Sequence, residues 1–212
     1  MTDHIAGRPL TAERLLAVRT PMEIEFAPDG SRFAFSLHAV VSEHGVTQPS
    51  DLWIIDGNAD PVQLTDGPWA DSYPLWSPDG SRLAYISDRA VAGHHLPYTM
   101  VPGQEPALVA SFPGSAEQLS WSGDGHRLLV LAADPGSYSR EVSGTFVTGG
   151  ASELEQGIRR SSGAWRRLLM VDLASGDVSE VSPPGWSVWE AGWDGSGSSA
   201  VAVVAENPSG NG

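Results

Sequence analysis

Trp76-Ser77-Pro78-Asp79-Gly80-Ser81-Arg82-Leu83-Ala84-Tyr85-Ile86 decides the fold of this chain. Proline presets the first corner of a tight turn, aspartate bonds its own backbone, and glycine takes a positive φ at little cost. A turn of that kind between two β-rich runs is a hairpin. The aromatic ahead of it ends the incoming strand and brings a large area to bury. In the outgoing strand Leu83 and Tyr85 share one face, with Arg82, Ala84 and Ile86 on the other. Ile86 keeps the second face partly apolar, as in a strand packed on both sides.

The phrase recurs. It reads Phe26-Ala27-Pro28-Asp29-Gly30 earlier, Trp121-Ser122-Gly123-Asp124-Gly125 later, and survives in worn form as Trp193-Asp194-Gly195-Ser196-Gly197. Each copy precedes a β-type run. The closing glycines at 30, 80, 125 and 197 give steps of 50, 45 and 72 residues, so one supersecondary unit is copied. A second hairpin follows in the first unit (residues 51–56 and 61–65) and in the third (residues 167–172 and 178–181). Two hairpins make four antiparallel strands, the content of one propeller blade. The reading is therefore all-β: an incomplete β-propeller of about three and a half blades, with units at about 22–67, 73–112, 118–181 and 189–212. In the second unit His94-His95-Leu96-Pro97-Tyr98-Thr99-Met100 replaces a clean third strand. The third is swollen by residues 134–164, a long loop or insertion.

Residues 1–21 are expected to be a lead-in with one short helix over 10–20. Thr11 would cap it, Glu13 suits its first turn, and Pro21 stops it. The last strand, Val201 to Ala205, is expected to be an unpaired apolar edge. Three and a fraction blades fall short of closure, so the chain reads as the N-terminal piece of something longer.

With 212 residues the chain can bury a sizeable β core. Gly 24 and Pro 16 suit a turn-dense protein, and with no cysteine there is neither disulfide nor thiolate metal site. The formal charge of −14, with arginine but no lysine, argues against a nucleic-acid groove. Arg159, Arg160, Arg166 and Arg167 form one basic cluster, read as a solvated loop. The N-terminus shows no secretion signal, and no apolar run spans a bilayer; the compartment expected is the cytoplasm.

No catalytic, cofactor or metal residue is assigned. There is no Gly-x-Ser-x-Gly elbow. Gly195 to Ala200 matches Gly-x-Gly-x-x-Ala formally but opens a strand, not a helix. Gly144 to Gly150 lacks the Lys and Ser/Thr of a phosphate loop. His94 and His95 lack a partner at zinc spacing and, as neighbours on a strand, would point apart. Glu153 and Glu155 could grip a substrate amine at the mouth of a pore, against the plainer reading of a solvated acidic loop.

The chain resembles the N-terminal propeller of the prolyl oligopeptidase family of serine peptidases, nearest its acylaminoacyl-peptidase-like branch. The resemblance rests on residues 10–16 ahead of Phe26-Ala27-Pro28-Asp29-Gly30, on Gln63-Leu64-Thr65-Asp66-Gly67 closing the first unit, and on Trp76 through Arg89. It implies a propeller that gates short peptides for an α/β-hydrolase domain downstream, where serine, histidine and aspartate would do the chemistry. None of those positions lies in this chain, which should be inactive alone and need no cofactor. A homo-oligomer is compatible with this reading. TolB-like propellers share the turn phrase, so a protein-binding propeller without catalysis is the alternative. A metal-centred lactonase or lyase would need inward ligands from several blades, which the repeats do not show.

Overall fold

The computed structural model describes residues 18–39, 49–135, 165–194, 197 and 199–206. Within them lie fourteen strands and no helix. Strands β1 (Arg19–Phe26), β2 (Arg32–Ala39), β3 (Ser50–Asp56) and β4 (Val62–Gln63) form the first antiparallel sheet, in that order. Strands β5 (Asp71–Trp76), β6 (Leu83–Ser87), β7 (Leu96–Met100) and β8 (Ala107–Leu108) form the second. The third holds β9 (Ser115–Trp121), β10 (Arg127–Ala133), β11 (Arg166–Asp172) and β12 (Val178–Glu180). Strands β13 (Ser187–Trp193) and β14 (Ala200–Ala205) make a two-stranded fourth.

The sheets follow one another about an axis. Their first strands, β1, β5, β9 and β13, touch in sequence and form the inner wall. Leu52, Trp76, Tyr85, Leu128 and Val130 belong to one buried core joining the first three sheets. Leu129, Leu131, Leu168 and Val188 form a second core between the third sheet and the fourth. Strand β10 therefore alternates between two cores, and β6 is buried at every residue. Such double-sided burial is what a radial stack of sheets demands. Val201 and Val203 on β14 are 61% and 57% exposed, so the apolar edge expected there is present.

The N-terminal helix requires correction. Residues 1–17 lie outside the described residues, but Arg19 and Thr20, its expected last turn, begin β1 and pair with Ala39 and His38. The sheet ladder outweighs the weak helical pattern, and Pro21 is tolerated because β1 is an edge strand. The swollen loop of the third unit lies mostly outside the described residues, with Glu153, Glu155, Arg159 and Arg160. Arg166 and Arg167 are not loop residues: both sit on β11, paired with Glu117 at 2.5 Å and Asp134 at 2.8 Å.

Candidate functional site: the inner wall and its cavity

The repeated phrase builds a joint between neighbouring sheets. The arginine after each turn lies over the aromatic that opens the next turn. Arg32 sits 4.4 Å from the ring centre of Trp76, Arg82 5.9 Å from Trp121, and Arg127 5.0 Å from Trp193. The indole N–H of Trp121 donates to the Leu75 carbonyl at 3.1 Å, and that of Trp193 to Ser120 at 3.1 Å. Each indole thus ties its sheet to the inner strand of the sheet before. At the first joint Trp76 makes no such bond, and Arg32 instead donates to the Gly80 carbonyl at 2.5 Å.

The turns carry their own caps. Asp29, Asp79 and Asp124 accept the backbone N–H two residues on, at 3.0 Å each. Hydroxyls add to them: Ser77 reaches Asp79 at 2.6 Å and Ser122 reaches Asp124 at 2.5 Å. These bonds favour the charged carboxylate, and the Asp79 carboxyl is held down to about 2. A carboxyl depressed on folding adds stability above its ordinary value, and that stability is lost as pH falls through the folded value. Wild type should therefore be more stable than Asp79→Asn above about pH 4, with the gap closing as urea melts are taken down towards pH 2. A gap that stays constant across that range would show that the cap does not bind the carboxylate form.

The inner strands share a second feature. Each carries a one-residue bulge: between Met22 and Glu25 in β1, Ser72 and Leu75 in β5, Ala116 and Gln118 in β9, and Val188 and Glu190 in β13. A bulge breaks the ladder and re-aims a side chain. In β1 and β5 it holds Glu23 and Tyr73 at φ 51° and 58°, the only non-glycine residues with positive φ among those described. Both stand three residues before the turn aromatic. Such backbone costs roughly 1–3 kcal/mol per residue and persists only where surroundings hold it.

What holds Glu23 is a buried polar network. Its carboxylate accepts from the Ser36 hydroxyl and, at 3.2 Å, from the Tyr73 backbone N–H on the next sheet. His38 Nε2 lies 2.8 Å from Ser36 Oγ and 3.4 Å from the same carboxylate. These are the residue types of a hydrolytic triad without its geometry. The same ring nitrogen, Nε2, faces both the hydroxyl and the carboxylate, whereas a triad sets its orienting carboxylate at the other nitrogen. Ser36 is also fully buried. The network ties the first sheet to the second.

A cavity of about 250 Å³ opens on this wall, lined by residues 23–25 of β1, 73–75 of β5 and 118–119 of β9. Three successive sheets contribute to it, each through its bulged inner strand. Burial raises the Glu25 carboxyl above its ordinary value, and Glu25 has no ion-pair partner among the described residues.

The histidines singled out in the sequence lie elsewhere. His94 Nε2 is 3.2 Å from the Phe112 carbonyl. His95 precedes β7, and desolvation depresses its pKa. At the second sheet Arg89 pairs with the fully buried Asp71 at 2.7 Å, its guanidinium beside the rings of Trp69, Tyr85 and Tyr98. Glu23, Glu25 and Tyr73 escaped sequence reading because single polar residues in a strand carry no motif. Their register against the turn aromatic is the signal that finds them.

Interlocked antiparallel sheets around an axial cavity make this chain a β-propeller portion. No protein-family model matches it. It is 27% identical over 182 residues to the uncharacterized peptidase YuxL of Bacillus subtilis, an alignment covering 82% of this chain and 28% of that protein. It is 30% identical over 133 residues to dipeptidyl-peptidase 5 of Trichophyton schoenleinii, covering 53% of this chain and 18% of the relative. Among solved structures, a puromycin-hydrolyzing peptidase of Mycobacterium tuberculosis superposes with a TM-score of 0.57 at 17% identity, over 87% of this chain and 25% of that one. A TolB of Agrobacterium tumefaciens gives 0.56 at 16% identity, over 79% and 51%. The matched region thus spans less than a third of the length of these curated relatives. The relatives bear out the resemblance to the propeller of prolyl-oligopeptidase-type peptidases; the superpositions speak to the fold alone.

Proposed function

We propose that this chain is a propeller portion of a prolyl-oligopeptidase-type serine peptidase, near the acylaminoacyl-peptidase branch. It would gate short peptides for an α/β-hydrolase domain carried elsewhere in the parent protein. The observation that carries this reading is the sequence similarity to a peptidase over 182 residues. The wall described above supports it, because sheets stacked about an axis, once completed to a closed ring, would exclude folded proteins while leaving room for a flexible chain. The chemistry would belong to the absent domain, with the parent protein in the cytoplasm. Among the described residues no helix is long and apolar enough to cross a membrane.

A fluorophosphonate probe, which labels activated serines, tests the reading. The parent protein should be labelled and should cleave short acylated or free peptides but not a folded protein. The 212-residue chain by itself should take no label. The TolB-like reading, favoured by the superposition on the Agrobacterium protein, predicts no label on either and no Gly-x-Ser-x-Gly in the gene beyond Gly212. That result would overturn the peptidase reading.

A further inference from the structure

The Asp-Gly steps that shape these turns carry a chemical hazard. Glycine lacks a Cβ, so its nitrogen meets little hindrance in attacking the carboxyl of the aspartate before it. Five such steps lie within the described residues: Asp29-Gly30, Asp56-Gly57, Asp66-Gly67, Asp79-Gly80 and Asp124-Gly125. Four are guarded. The N–H groups of Gly30, Gly57, Gly80 and Gly125 donate to the carbonyls of Ala27, Ser31, Ser77 and Ser122, each at 2.8 Å. That bond must open before the nitrogen can attack. At Asp29, Asp79 and Asp124 the carboxylate is also held, by the N–H two residues on. Those bonds favour the charged form, which has no hydroxyl to lose as water.

Asp66-Gly67 has neither guard. Among the described residues the Gly67 N–H and the Asp66 carboxylate make no hydrogen bond. Asp66 is exposed, in the passage from β4 to β5. The sheets on both sides of that passage are in place, so its openness is not that of an unfinished ring. Nor can the glycine be exchanged. Gly67 has a φ of 148°, and a Cβ there would run into the Trp69 ring.

We propose that Asp66-Gly67 is the site at which the backbone of this protein isomerises spontaneously, aspartate becoming isoaspartate. The Gly67 nitrogen bonds to Asp66 Cγ, and the carboxyl hydroxyl leaves with the amide proton as water, closing a five-membered imide. Water then adds at the carbonyl carbon that came from the Asp66 main chain, and the bond from that carbon to the Gly67 nitrogen breaks. The chain now runs through the former side chain, one methylene longer, and the former main-chain carbonyl is a free carboxylate. One water leaves and one returns, with no change of oxidation state. The added methylene falls just ahead of Trp69, whose carbonyl accepts from the Ser50 N–H of the first sheet at 3.2 Å.

The test ages the folded protein in mildly acidic buffer and follows isoaspartate at each step by peptide mass spectrometry with electron-transfer fragmentation. Isomer should accumulate at Asp66 about tenfold or more faster than at each of the other four, the factor that one hydrogen bond is worth. In concentrated urea the guards are gone, and the five rates should converge. Asp66→Glu, at an exposed position, should abolish isomer there and leave the other four rates unchanged, because a glutamate would have to close a six-membered ring. Three results would each overturn the proposal: equal rates in the folded protein, a guarded step faster than Asp66, or no isomer at any of the five. The same lead for Asp66 in urea would do so too, since local sequence and not the fold would then set the order.

Discussion

Gly114→Ala should cost the chain about 4 kcal/mol, a large share of the roughly 5–15 kcal/mol that stabilises an ordinary domain. Gly114 has a φ of 93° and precedes β9 at the passage from the second sheet to the third. A Cβ built there would lie 1.9 Å from the Ala133 carbonyl oxygen and 3.0 Å from its carbon. Both atoms are backbone, on the far end of β10, so neither can rotate away. The strand would have to leave its ladder, where Ala133 pairs with Ser115 and Arg166. Gly93 is the control: its φ is 75° but nothing lies within 4 Å of its Cβ position. Gly93→Ala should cost only the backbone strain, about 1 kcal/mol. Urea melts of both variants measure the difference. Equal losses would mean that the close approach at Gly114 is not a feature of the folded protein.

The second large effect is expected at Trp121. Its side chain is 7% exposed, lies under Arg82, and donates its N–H to the Leu75 carbonyl of the preceding sheet. Trp121→Ala removes packing, the cation–π contact and the hydrogen bond together, a loss of about 3–5 kcal/mol. Trp121→Phe keeps most of the apolar area but leaves the carbonyl without its donor, at about 1–2 kcal/mol. The ordering separates two roles. A Trp121 that only filled space would tolerate phenylalanine almost freely, and one that only bonded would lose as much to phenylalanine as to alanine.

Much of the fold was legible because a turn phrase with an aromatic ahead of it constrains both backbone and burial, and four copies leave little choice of architecture. The use made of the arginine that follows each turn was not legible. Arg32, Arg82 and Arg127 read only as the first residues of the outgoing strands, yet each reaches the aromatic of the next sheet. That contact joins residues far apart in the chain, from Arg82 with Trp121 to Arg127 with Trp193, and no local pattern announces it. The helix over residues 10–20 failed at its described end for a related reason: pairing with β2 decides the state of Arg19 and Thr20, and propensity has little say. The cavity was hidden by the bulges. Strict alternation assigns faces wrongly beyond an extra residue, so the left-handed positions of Glu23 and Tyr73 could not be placed from periodicity. Glu153 and Glu155, read as a solvated acidic loop with a grip on a substrate amine as the alternative, fall outside the described residues, and the carboxylates on the wall are Glu23 and Glu25.

The arrangement of sheets about an axis, each locked to the next through arginine and tryptophan, underlies the proposed gating role. Double-mutant cycles measure it most directly. Arg127 with Trp193, and Arg32 with Trp76, should each show a coupling of about 0.5–2 kcal/mol, while Arg32 with Trp193, on non-adjacent sheets, should show none. Absent coupling in the neighbouring pairs, or equal coupling in the distant one, would contradict the account.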